Sequence, residues 1–218
     1  MQTARISLLA ALTLITGCRD RDRHPPLRTT PLPGQESPAS VPTHGAEPRQ
    51  GPSDAPVTIT AFLDYTCPAT GRVAGVLDAL RLRFGSGVQV MFKLPSYPSP
   101  GSVLAARAAC AADLQGRFAL LHPRLAPMIA HHGIHIERRD VLDEAAAAGL
   151  ELERFGRDLD SAGCTQRLVS DRDHADALEV PRTPTFFVDG TRVGWAHFES
   201  ELDRRVSDLL ARKSLAAR

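Results

Sequence analysis

Three things are scarce in this chain of 218 residues, and each scarcity excludes something. Charge of one sign is missing: 26 basic and 25 acidic residues leave a formal net charge of +1. They are interspersed, so the one-signed field that nucleic-acid binding exploits is absent and no nucleic-acid partner is expected. Long apolar runs are missing too, since the N-terminal stretch from Ile6 to Thr16 falls well short of the roughly 20 residues that span a bilayer. Cysteine is the third scarcity, with four in all. Cys67-Pro68-Ala69-Thr70 carries threonine where exchange chemistry within one motif needs a second sulfur. Apolar residues, at 43%, suffice for the core of one ordinary domain with additions.

The N-terminus reads as an export signal of residues 1–17, with Arg5 as a minimal basic region before the apolar stretch. It ends in Ile15-Thr16-Gly17-Cys18, which resembles the lipobox of bacterial lipoproteins, in which the cysteine receives lipid. Residues 18–50 follow, rich in proline from Pro25 to Pro48 and without apolar periodicity, and read as a disordered, semi-extended tether. The expected location is the bacterial cell envelope, anchored to the membrane through Cys18, on the periplasmic side if the source is Gram-negative. With Cys18 lipidated, Cys67, Cys110 and Cys164 remain, and an odd count in an exported protein favours one pair and one free thiol. The simplest odd one is Cys67.

From residue 51 the chain acquires periodicity. Val57 to Leu63 alternates β-branched and apolar residues after a Ser-Asp-Ala-Pro turn, which predicts a strand. Pro68 suits a first helical position, and Val73, Val76, Leu77, Leu80 and Phe84 recur at helical spacing up to Gly85 and Gly87. Val88 to Leu94 predicts a second strand, parallel to the first across a right-handed crossover. Residues 101–178 are helical in pattern, with segments near 102–113, 116–126, 138–148, 151–161 and 165–178. Strand character returns at Thr185 to Val188 and at Thr191 to Trp195, joined by Asp189-Gly190, before a last helix from Phe198. Cys67 thus stands between a strand and a helix N-terminus, where unpaired N–H groups and the helix dipole favour a thiolate.

Three ordered stretches carry a resemblance: Phe62-Leu63-Asp64-Tyr65-Thr66-Cys67-Pro68, Ala108 to Phe118, and Val180 to Gly190 with Thr183-Pro184-Thr185 inside it. Together they resemble the DsbA-like branch of thioredoxin-fold proteins, from about Gly51 to Arg212. The resemblance implies an α/β thioredoxin fold with an inserted helical domain: a first part at 51–100, the insertion at 101–178 and a second part at 179–213. It implies a cis Thr183–Pro184 bond lying against Cys67, with Thr183 and Pro68 beside the substrate. It also implies a structural disulfide between Cys110 and Cys164. Two separate buried thiols, or pairing of either with Cys67, are the alternatives.

Two positions depart from the family. Thr70 replaces the second cysteine, and Ala61 stands where many members carry a buried acid that assists resolution. The expected activity is therefore thiol–disulfide exchange through one nucleophile, Cys67, with the Thr70 hydroxyl as hydrogen-bond donor to it. Partners would be cysteine-containing envelope proteins or small thiols, and no metal, nucleotide or other cofactor is called for. The rival reading is a redox-silent binding or chaperone module that keeps the groove beside Pro184; glutathione-dependent transfer is a third. His131, His132 and His135 lack metal-ligand spacing because Gly133 interrupts them. Asp171, Asp173, His174 and Asp176 read as a solvated helix face.

Overall fold

The computed structural model describes residues 41–97, 99–194 and 197–216. The signal segment 1–17, Cys18 and the tether up to residue 40 lie outside the described residues. The elements are β1 (Arg49–Gln50), β2 (Val57–Phe62), α1 (Thr70–Phe84), a 3-10 turn (Gly85–Gly87) and β3 (Val88–Lys93). A helical run follows: α2 (Pro100–Leu114), α3 (Phe118–Leu125), α4 (Met128–His132), α5 (Arg138–Ala147), α6 (Leu152–Leu159) and α7 (Ala162–Ala177). The chain closes with β4 (Thr185–Val188), β5 (Thr191–Val193) and α8 (Phe198–Ala216). This is a mixed α/β fold, a thioredoxin fold with a helical insertion.

The sheet order is β1-β3-β2-β4-β5. β2 and β3 are parallel, with Ala61 opposite Phe92 and Phe62 opposite Lys93. β4 runs antiparallel to β2, setting Phe62 opposite Thr185, so the segment before β4 arrives beside the end of β2. The β4–β5 hairpin turns on Asp189 and Gly190, both at positive φ (45° and 80°), the geometry that Asp-Gly supplies to two-residue hairpins. Asp189 Oδ1 also accepts the Thr58 N–H at 2.9 Å, tying the turn to β2.

Alternation sorts the side chains of β2. Val57, Ile59 and Ala61 join the main core with Val73, Leu77 and Leu80 of α1, the alanine face of α2, and Leu202 and Val206 of α8. Phe62 points the other way, into a smaller cluster with Val41, Ala175, Leu178 and Phe187. Each such large side chain contributes on the order of 2 kcal/mol by leaving water.

Val41 in that cluster corrects the expected tether boundary: residues 41–50 are part of the folded body. Composition misled because backbone pairing and an ion pair, more than apolar burial, hold this segment. The Phe92 N–H donates to the Pro48 carbonyl at 2.9 Å, Arg49 and Gln50 pair with Met91 and Val90, and Glu47 Oε1 lies 2.9 Å from Lys93 Nζ.

In the insertion, Cys110 of α2 and Cys164 of α7 form a disulfide with Cα atoms 5.7 Å apart. Cys164 lies in the first turn of α7 and not in a loop, because Ser161 caps that helix by accepting the Cys164 N–H at 3.2 Å. Pro123 does not break α3 but lies inside it.

Candidate active site

α1 begins at Thr70, so Cys67 and Pro68 occupy the turn before the helix and not its first residues. That turn is built on the backbone of Asp64. Its carbonyl accepts the Cys67 N–H at 2.9 Å and the Thr70 hydroxyl at 2.6 Å. Its carboxylate accepts both the N–H and the hydroxyl of Thr66 at 2.8 Å, a local side-chain turn. The Thr70 N–H then donates to the Cys67 carbonyl at 3.0 Å. Thr70 is fully buried, and its hydroxyl is committed to Asp64, so it is not the donor to the Cys67 sulfur that the sequence suggested. Threonine at this position holds the turn together.

Cys67 is the free cysteine among the described residues and is partly exposed. The Thr183–Pro184 peptide is cis. The Cys67 thiol donates to the Thr183 carbonyl at 3.2 Å, across 116 residues of sequence. Structure thus gathers Cys67, Pro68, Thr183 and Pro184 at one end of the sheet, above the C-terminal end of β2.

Below that end the sequence lacks an acid, and the structure supplies other polar groups. Ala61 is fully buried, with Phe92 and Phe186 as its strand neighbours. Tyr65, two residues before Cys67, is buried, and its hydroxyl is hydrogen-bonded to His122 Nδ1 at 2.8 Å. Burial pushes the Tyr65 phenol up and holds His122 down to about 4, so both groups are neutral near pH 7. His122 also packs on Phe92 and Phe118. Sequence reading passed over this pair, since nothing in the spacing of 65 and 122 announces it.

On the opposite face of the sheet lies a buried charge network. Lys93 Nζ is 2.9 Å from Glu47 Oε1, 3.2 Å from Asp171 Oδ1 and 2.8 Å from His174 Nδ1. Asp171 Oδ2 accepts the Leu94 N–H at 2.8 Å, and His44 Nε2 lies 3.2 Å from Asp171 Oδ1. Asp171 is therefore buried and paired, which corrects the solvated-face reading; Asp173 and Asp176 remain exposed. The residue that overturned the pattern was Lys93, a lysine at the end of a buried strand, which needs anionic partners inside. Burial alone would raise the Glu47 carboxyl, but hydrogen bonds from Lys93 and the backbone, with the Lys93 charge, hold it down to about 2. His174 is held below its usual range by burial and by Lys93. His44, Glu47 and Asp171 have the spacing of a metal triad, yet the ammonium of Lys93 contacts both carboxylates and supplies the cation. Of the histidines singled out by sequence, His132 pairs with Asp140 at 3.3 Å.

Tyr97, in the loop after β3, flanks the site. Burial raises its phenol, Arg172 opposes that, and the charges of Asp64, Asp176 and Cys67 add to it. The Arg172 guanidinium lies over the ring, 4.7 Å from its centroid.

A model of the thioredoxin family matches residues 43–208. The chain belongs to the thioredoxin family. Among solved structures, a thioredoxin-like oxidoreductase from Silicibacter pomeroyi is similar with a TM-score of 0.65 and 27% identity, covering 78% of this chain and 94% of that one. The thiol-disulfide exchange protein α-DsbA2 from Wolbachia pipientis gives 0.68 at 18% identity, covering 76% and 88%. A periplasmic thioredoxin-like protein from Salmonella enterica serovar Typhimurium gives 0.63 at 22%, covering 76% and 91%. The Na(+)/H(+) antiporter NhaA 1 of Mycolicibacterium gilvum is 35% identical over 149 residues, covering 66% of this chain. The thioredoxin-family chain spans 23% of that antiporter's length, and among the described residues no helix is long and apolar enough to cross a membrane.

Proposed function

We propose that this thioredoxin-family protein carries out thiol–disulfide exchange through a single nucleophile, Cys67, in the bacterial cell envelope, and that release of its product depends on an external thiol. The observation that carries this reading is the pairing of the Cys67 sulfur with the Thr183 carbonyl at 3.2 Å while Thr70 is buried and bonded elsewhere. An attacking sulfur keeps its aligning loop, and the fourth position of the motif is given over to structure. The Salmonella protein's periplasmic description supports the envelope location; a lipid anchor at Cys18 is part of the proposal.

The chemistry follows from the groups present. Cys67 loses its proton, and the sulfur attacks one sulfur of a substrate disulfide, forming a mixed disulfide while the other substrate sulfur leaves with the bonding electrons and takes up a proton. Ionisation also removes the S–H that occupies the Thr183 carbonyl, which frees that oxygen for the N–H of an extended substrate segment. An external thiolate then attacks the substrate sulfur and returns Cys67 as a thiolate. One disulfide is consumed and one formed, so the cycle is net exchange.

The buried methyl of Ala61 favours the rival reading, a redox-silent polypeptide-binding module. Incubation with a glutathionylated cysteine peptide, followed by intact mass with and without added glutathione, separates the two. A Cys67 adduct that clears only with the thiol present supports exchange; no adduct after prolonged incubation refutes it.

A further inference from the structure

A groove of about 220 Å³ runs between α2 and α7, lined by Val103 and Arg107 on one side and Thr165, Leu168, Val169 and Arg172 on the other. It begins at Ser96, beside Tyr97, and runs toward the Cys110–Cys164 disulfide that clasps the same two helices. Three observations mark it as a binding surface. Val169 is 47% exposed and lines the groove, so an apolar wall is open to a ligand. Arg107 bonds through one terminal nitrogen to the Thr165 hydroxyl at 2.5 Å; its charge helps hold the Asp160 carboxyl low, but no carboxylate is in salt-bridge contact with it among the described residues. Its Nε is buried without any hydrogen-bond partner. That nitrogen is out of reach of a ligand, but the second terminal nitrogen makes no hydrogen bond among the described residues, and a guanidinium with such a group beside apolar walls has the chemistry to take a carboxylate.

We infer that this groove holds a segment of the polypeptide substrate, apolar in character with one Asp or Glu, whose carboxylate reaches Arg107. The inference rests on the exchange reading for its substrate but not for its binding chemistry. Position fixes the spacing. Arg172 stands over Tyr97, whose phenol feels the Cys67 charge, while Arg107 meets α7 at Thr165, seven residues away along the helix. At about 1.5 Å per helical residue that is roughly 10 Å, or about three residues of extended chain. The acidic residue therefore belongs about three residues beyond the point where the substrate passes Tyr97. Charge limits the number: Asp173 lines the groove and is exposed, and Arg172 already pairs with Asp176 at 3.4 Å. A single carboxylate at Arg107 is favoured over an acidic run.

The test uses apolar peptides with serine in place of the cysteine and Glu, Gln or Lys placed at increasing distances on either side, with binding read by fluorescence anisotropy. In parallel, the rate of Cys67 adduct formation with hydroxyethyl disulfide reports the sulfur chemistry alone. The Glu peptide is expected to bind about tenfold more tightly than its Gln counterpart, with the preference lost in Arg107→Gln. Val169→Asn, a neutral polar change on the exposed wall, should weaken the Glu and Gln peptides alike, and neither variant should change the hydroxyethyl disulfide rate. Equal binding of Glu, Gln and Lys peptides overturns the inference, as does a short aliphatic carboxylate that competes as well as the Glu peptide does. If the Glu preference holds while no adduct forms with hydroxyethyl disulfide, the groove stands and the exchange reading falls.

Discussion

Replacing Lys93 with methionine removes the one fully buried cation from a site whose two carboxylates keep only weaker partners, His44, Arg49 and backbone N–H groups. Lys93 and Glu47 have fully buried side chains and Asp171 is nearly so. Methionine fills a similar volume, so packing is largely conserved and the loss is electrostatic. Breaking a buried pair from one side costs about 3–5 kcal/mol, which for a domain of this size lowers the melting temperature by about 10 °C. Acid titration gives an independent figure. Glu47 is held at about 2 against a usual 4.5, so its ionised form stabilises the fold above the unfolded value. That contribution, about 3 kcal/mol, is lost as pH falls from about 4.5 toward 2. In Lys93→Met the ammonium is gone and burial dominates, so this acid limb should flatten. Urea unfolding at a series of pH values between 2 and 7, with the disulfide intact, measures both effects, and Lys93→Met with Glu47→Gln should recover part of the loss. A single variant within about 1 kcal/mol of the parent at pH 7 would refute the view that this pairing holds residues 41–50 to the sheet.

The disulfide offers a second measurement. Cys110 and Cys164 are 54 residues apart, and closing a loop of that length restricts the unfolded chain by about 4 kcal/mol in the chain-entropy account. Replacing both by alanine should lower unfolding free energy by about that amount while leaving the reaction of Cys67 with a small disulfide unchanged. Thr70→Cys should place a second sulfur in the turn and give intramolecular release, visible as an adduct that clears without added thiol. Because that change also removes the hydroxyl bonded to Asp64, it should lower stability by about 1 kcal/mol, checked by the same urea titration.

Strand positions, the parallel crossover and the Asp189-Gly190 turn were legible because each is a local pattern: alternation, a helical repeat between two strands, and a dipeptide that tolerates positive φ. The alignment of Cys67 with Thr183 was legible only through the resemblance, since the two are 116 residues apart and no periodicity links them. Residues 41–50 were not legible, because proline-rich composition hides a segment held by two strand pairs and an ion pair. Asp171 was read as solvated for a related reason. Its neighbours on α7 are exposed, and the partner that draws it inward, Lys93, lies 78 residues away. Thr70 shows the limit most clearly: the sequence told which atom was missing, and only the structure told where the replacement hydroxyl points.

That hydroxyl has a kinetic consequence. A site with two sulfurs releases its adduct in a first-order step, at a rate set by geometry and independent of surroundings. With Thr70 buried against the Asp64 carbonyl, release in the proposed exchange is second order, and the lifetime of a Cys67 adduct then varies inversely with the concentration of free thiol around the protein. Doubling the thiol halves the lifetime. Under the proposed exchange, the fraction of protein carrying an adduct follows the ratio of disulfide to free thiol in its compartment.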